Sequence, residues 1–176
     1  MLMESPRSIR SPQPHLEADW FHGIKDPQLR RSILIMDRSI RYAFNMEKLA
    51  EQAGLHKTKI NRLFNNEFGL SAATFFRHLR LGHGNRDVLY TKRTITDIAI
   101  EYGFSDASHF TKLYRTAVGL SPTQLRELSP ADALSEISQR LSSAPGIIGK
   151  LMAGNLLFSS DLSLNVAKER LLATQK

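Results

Sequence analysis

Two sets of polar side chains in this 176-residue sequence recur at helical spacing and share a chemistry. Thr58, Asn61, Arg62 and Asn65 stand at i, i+3, i+4 and i+7, one stripe of a helix, with Lys57 at its start. Ala107, Ser108, Thr111, Lys112 and Arg115, with His109 beside them, form a second outward stripe. Hydroxyls, amides and cations on a helix surface suit a DNA major groove, where amides and guanidinium groups meet base edges and cations meet phosphates. A guanidinium can pair bidentately with guanine, which makes Arg62 the strongest base reader. On this reading Thr58 and Asn61 also lie at base edges, with Lys57 and Asn65 near phosphates. In the second set Ala107, Ser108, His109, Thr111 and Lys112 face the groove and Arg115 points to the backbone. Ala107 offers only a methyl contact, so this set reads bases less sharply. The alternative for either stripe is an ordinary solvated helix face.

Such stripes read DNA only if something holds them at a fixed angle. The stretch Ile98 to Pro122, IAIEYGFSDASHFTKLYRTAVGLSP, supplies it for the second. Ile95, Ile98, Ala99 and Tyr102 recur at the spacing that buries one helix face, behind Thr94 as N-cap and Asp97 as a capping-box-like partner. Gly103 provides the positive φ of a tight turn, Phe104 plugs the angle, and Ser105 or Asp106 caps the next helix. Phe110, Leu113, Tyr114 and Ala117 form its inward face. The pattern is a helix-turn-helix.

It occurs twice. Leu49-Ala50 and Gly54-Leu55 match Ile98-Ala99 and Gly103-Phe104 at an offset of 49; Ile60, Arg62, Phe64 and Gly69-Leu70-Ser71 match Phe110, Lys112, Tyr114 and Gly119-Leu120-Ser121 at an offset of 50. Two units closed by Gly-Leu-Ser, too few for a solenoid, favour a pair of similar reading heads over two chance solvated faces.

These residues resemble the AraC/XylS transcriptional regulators, over about Asp26 to Leu128 and most specifically over IAIEYGFSDASHFTKLYRTAVGLSPTQLR. The resemblance implies an all-α, seven-helix domain with two helix-turn-helix units joined by a long helix. Its contact positions fall on Lys57, Thr58, Asn61, Arg62 and Asn65 of the first stripe. The implied function is a sequence-specific regulator, usually an activator, that binds double-stranded promoter DNA and contacts RNA polymerase in a bacterial cytoplasm. The resemblance also exposes two departures. His56 stands where a serine usually caps the first recognition helix, a poorer cap unless its ring accepts a backbone amide. Leu81-Gly82-His83-Gly84-Asn85 replaces good helix formers in the bridge, expected from Ser71 to about Tyr90, and two helical glycines cost about 2 kcal/mol relative to alanine. A softened or kinked bridge is expected, with Gly82 and Gly84 as a hinge that lets the second unit reorient.

Composition agrees with this reading. The net charge is +7, and residues 38–128 carry fourteen basic against eight acidic side chains, so nearly all the excess lies on the repeat, as a polyanionic partner requires. There is no cysteine, which excludes disulfides, zinc-thiolate sites and thiol nucleophiles. It also removes the enzyme alternative, a DNA-alkylation repair protein in which this type of domain is fused to a cysteine-dependent methyl acceptor. The six histidines lack metal-ligand spacing, and no phosphate loop or nucleophile elbow occurs, so neither catalysis nor a cofactor or metal is expected. No apolar run approaches a membrane span and the N-terminus has no secretory h-region. Oligomeric state is left open.

Around the domain, residues 1–25 are expected to be a disordered tail and linker, although Trp20 and Phe21 read as an aromatic pair packed on the domain. Asp26-Pro27 caps a first helix buried through Leu29, Ile33, Met36 and Ile40, and Asn45 caps the first unit with Phe44 stapled onto Leu49. Residues 129–176 form a C-terminal extension of unknown role, with helical patterns at Leu134, Ile137 and Leu141 and at Leu164, Ala167 and Leu171. A helical cap folded back on the domain is favoured there over a dimerisation element. Most members of the family carry an N-terminal sensor domain that the residues before Asp26 are too few to form, which leaves a sensor-free form or a piece of a longer protein. The alternative function is a truncated, sensor-less regulator acting mainly as a protein-interaction module.

Overall fold

The computed structural model describes residues 19–143 and 147–151, and every regular element among them is an α-helix. These are α1 (Asp19–His22), α2 (Pro27–Arg38), α3 (Met46–Ala53), α4 (Lys57–Phe68), α5 (Ala72–Tyr90), α6 (Ile95–Glu101), α7 (Ala107–Val118), α8 (Pro122–Glu127) and α9 (Pro130–Ser143). Helices α2 to α8 are the seven of the expected domain. The helix pairs α3–α4 and α6–α7 are the two units, and α5 packs against α4 on one side and α6, α7 and α8 on the other.

Capping side chains set the starts. Asp26 Oδ1 accepts from the amides of Gln28 and Leu29, Asn45 Oδ1 from Lys48, Ser71 Oγ from Thr74, and Thr94 Oγ1 from Asp97. Ser121 and Gln124 make a reciprocal capping box. In the two inter-helix turns, Gly54 and Gly103 take φ of 68° and 71°, the left-handed region that a Cβ disfavours. The inward positions at Leu29, Ile33, Met36 and Ile40, at Ile98, Ala99 and Tyr102, and at Phe110 and Tyr114 are all buried, in one continuous core.

The structure moves the domain's start. Residues 19–25 are not linker: α1 forms there, and Phe21 and Ile24 are buried in the core, with the Arg30 guanidinium 5.2 Å from the Phe21 ring. Burial of each such side chain contributes about 1.5–3 kcal/mol, which holds a short helix that propensity alone would not. Residues 1–18 lie outside the described residues. Phe44 packs on Phe76 of α5, ring centroids 5.3 Å apart.

At the other end, α9 packs on α7 and α8 through Ala133 and Ile137, both buried. Residues 147–151 are helical again, with Ile147 and Leu151 buried. The pattern at Leu164, Ala167 and Leu171 falls outside the described residues.

The bridge runs as one unbroken helix through its glycines, and Gly84 is packed against a neighbouring helix. Residues 72–90 form one helix, and Leu81, Gly82, Gly84 and Asn85 in its middle are buried. A Cβ on Gly84 would stand 2.8 Å from Cε2 of Phe110 and 3.5 Å from Cγ2 of Ile98, so glycine is what lets α6 and α7 approach. Asn85 Oδ1 accepts from the Tyr114 hydroxyl at 2.5 Å, both side chains buried. His83 Nε2 lies 3.0 Å from the buried Asp37 carboxylate on α2, and its ring 5.9 Å from that of Tyr102. Gly84 reads as part of a hinge because its local cost is visible in sequence, whereas the partner helix that makes the missing side chain necessary is not.

Candidate nucleic-acid interface

Both recognition helices are fixed at the N-terminus by a side-chain cap, of different quality. His56 caps α4, its Nδ1 accepting the Thr58 amide at 3.4 Å; the ring does act as acceptor, over a long bond. Asp106 caps α7 with the His109 amide at 2.7 Å, and Ser105 Oγ donates to its other oxygen at 2.9 Å. The bonds from the His109 amide and the Ser105 hydroxyl hold the Asp106 carboxyl below its ordinary range.

On α4 the polar stripe divides. Thr58, Arg62 and Asn65 are exposed, and none of the ion pairs among the described residues involves Arg62. Lys57 is exposed but pairs through Nζ with Glu47 Oε1 at the start of α3. Asn61 is half-buried, and its Oδ1 accepts the amide of Ala72, the first residue of α5, at 3.1 Å. Its carboxamide oxygen is thus engaged in tying the recognition helix to the bridge, leaving the NH2 as the part able to meet a base.

On α7 the stripe is open. Ala107, Ser108, Thr111, Lys112 and Arg115 line a shallow depression together with Thr116. No ion pair among the described residues involves Lys112 or Arg115. Thr116 was not singled out from the sequence; it stands one turn after Lys112, and its hydroxyl donates to the Lys112 carbonyl at 3.0 Å. His109 is set apart from this row. It is exposed, but its ring meets the Phe104 ring edge-on at 5.6 Å and its Nδ1 lies 3.3 Å from Ser105 Oγ.

Away from the stripe residues, polar side chains tie the helices together. Arg126 of α8 donates to four main-chain carbonyls at the end of α5 and just beyond: Val88 at 2.9 Å, Arg93 at 2.7 Å, Thr91 at 3.1 Å and Asp87 at 3.3 Å. This satisfies carbonyls that a helix end leaves orphaned. Arg80, on the middle of α5, spans the two halves: Nε donates to Ile40 at 2.9 Å and Nη1 to Gly103 at 3.0 Å, with the guanidinium 4.5 Å above the Phe76 ring. Burial pulls its pKa down. Asp87 and Glu101 both pair with Arg93, and Glu101 also with Arg41. The Tyr102 hydroxyl beside Asp87 is pushed above its ordinary pKa, first by burial and then by that carboxylate. None of these bonds involves a stripe residue; they fasten the helices that carry the stripes.

The geometry defines a class: an all-α domain presenting two recognition helices from a common bridge. Residues 49–128 match the model of a helix-turn-helix domain. Among similar proteins, the HTH-type transcriptional activator RhaR of Klebsiella pneumoniae is 28% identical over 109 residues, covering 62% of this chain and 39% of that protein. The virulence regulon transcriptional activator VirF of Yersinia enterocolitica is 32% identical over 91 residues, 52% of this chain and 34% of that one. The fold is shared with a transcriptional regulator of Chromobacterium violaceum described as containing an AraC-type DNA-binding domain, at a TM-score of 0.54 and 24% identity over 65% of this chain and 92% of that one. Over residues 49–128 the chain thus carries a helix-turn-helix domain, with the fold of the AraC-type one. It spans about a third to two fifths of the length of these two relatives.

Proposed function

We propose that the protein is a sequence-specific transcriptional regulator that inserts α4 and α7 into successive major grooves of promoter DNA. The observation that carries this is the outer face of α7: two hydroxyls and two cations in a row, Ser108, Thr111, Lys112 and Arg115, without ion-pair partners among the described residues, on a helix whose other side is locked into the core. Cations left unpaired beside hydroxyls fit phosphates and base edges. On α4 the corresponding readers are Arg62 and Thr58, with Asn65 and Lys57 toward the backbone and Asn61 reaching a base only through its NH2 group.

Two of the relatives are named activators, which supports reading this regulator as an activator with RNA polymerase as partner and the cytoplasm as its place of action. No helix among the described residues is long and apolar enough to cross a membrane. The test is selection from a random duplex pool followed by a gel shift. Recovery of a motif with two half-sites supports the reading, and a pool that yields no motif sinks it in favour of an interaction module.

A further inference from the structure

In the first unit an anion engages the lysine that starts the recognition helix. Glu47 lies on the first turn of α3 and Lys57 is the first residue of α4; their side chains meet across the two helix starts. The lysine hydrogen bond and a bond to its own main-chain amide hold the Glu47 carboxyl below the ordinary carboxylate range. When a recognition helix enters a groove, the preceding helix crosses the phosphate backbone. The Glu47 carboxylate therefore takes up the donors that a backbone phosphate would use.

The internal repeat supplies the contrast. At its offsets of 49 and 50, Glu47 corresponds to Thr96 and Lys57 to Ala107, so the second unit has no such pair. Glu47 and Lys57 keep 68% and 50% of their side-chain surface exposed, and a pair in that setting is worth little in water. Stabilising the fold is a weak reason for it; competition with phosphate is a better one.

The geometry points to Glu47 as an electrostatic brake: it occupies Lys57 in the free protein, must be displaced by a DNA phosphate, and so lowers the affinity of the first unit for any duplex without affecting which bases are read. This rests on the DNA-binding reading above. It adds that the two units enter DNA unequally, the second with its cations free and the first only after an exchange of anions.

The test is binding of the full chain to a random-sequence duplex across a salt series, comparing the parent with E47Q, E51Q and the double variant E47Q/K57Q. Glu51 is an exposed acid one turn further along the same helix with no ion-pair partner among the described residues, so it controls for net charge. E47Q is expected to bind about 3- to 10-fold more tightly, with a slope of log affinity against log salt steeper by about one. E51Q is expected to move both much less, and the double variant to return the slope to the parent's. If E47Q gains no more than E51Q, or the double variant keeps the steeper slope, the brake is refuted while the DNA reading stands. A parent that binds no duplex overturns both. Melting curves of the four proteins establish that the comparison is between folded chains.

Discussion

In the first unit α4 meets the bridge through rings: Phe64, Phe68 and Phe75 pack with centroids 4.8 to 5.9 Å apart, and a hydrogen bond from the Ala72 amide to Asn61 Oδ1 joins the helices. In the second unit α7 meets the same bridge through an absent side chain at Gly84, a buried Tyr114–Asn85 hydrogen bond, and α8 anchored by Arg126. Ring packing is non-directional and tolerates small rotations, whereas a close backbone approach and buried hydrogen bonds fix one geometry. The polar stripes are unequal in the opposite sense: the loosely specified first unit has two stripe residues engaged with the protein itself, and the tightly specified second unit has its stripe free. A repeat in sequence has therefore become a division of labour in structure, a firm open head and a second head partly occupied by its own side chains.

The comparison breaks most severely at Arg126. Arg126→Ala leaves several carbonyls at the end of α5 without their donor and is expected to cost about 2–4 kcal/mol in chemical denaturation, hydrogen bonds to a charged group being worth more than neutral ones. Amide exchange should show the loss spreading through α6 to α8 more than through α2 to α4. Equal loosening of both halves would refute the separate fastening. Next, Gly84→Ala should destabilise by about 1–3 kcal/mol, because overpacking against Phe110 outweighs the roughly 1 kcal/mol of helix propensity gained. A hinge would give the opposite sign, and thermal melting decides between them.

On the DNA side, Arg62→Ala should lose about 1–3 kcal/mol of specific binding and relax preference at one or two base pairs, with much less change for random duplex. A uniform loss would make Arg62 a phosphate contact. The smallest effect concerns His78, half-buried with Nδ1 2.9 Å from the Thr74 carbonyl. Burial lowers its pKa, so the unfolded chain binds the proton more readily; its contribution to stability is present above about pH 6.5 and is lost as pH falls through the lower folded value. His78→Gln should flatten that part of the acid limb by a fraction of a kcal/mol, and an unchanged limb would exclude His78 as its source.

Much of this was legible in the sequence because it is periodic. The i, i+3, i+4 spacing gave the inward faces, Ser, Thr, Asp and Asn gave the caps, and the repeat gave the second unit. What periodicity does not carry is the partner across space. Lys57 reads as a free cation until Glu47 is found ten residues away on another helix. The Ala72 amide at the oxygen of Asn61, which leaves only its NH2 group for a base, is not legible in the sequence, and Gly84 reads as a weakness until Phe110 is found against it. Residues 19–25 read as linker because a single turn has too short a pattern to register, although two of its neighbourhood's apolar side chains, Phe21 and Ile24, complete the core.

The most direct test of the central claim, two reading helices held by an unhinged bridge, is affinity against a duplex series in which the spacer between the selected half-sites is varied one base pair at a time. Successive grooves on one face of DNA recur about every 34 Å, one duplex turn, so fixed heads accept one register and lose affinity steeply on either side. A single sharp optimum, broadened in Gly84→Ala where α7 is loosened, is the expected result. A flat profile across several spacings in the parent would contradict the rigid bridge and restore a hinge between the two units.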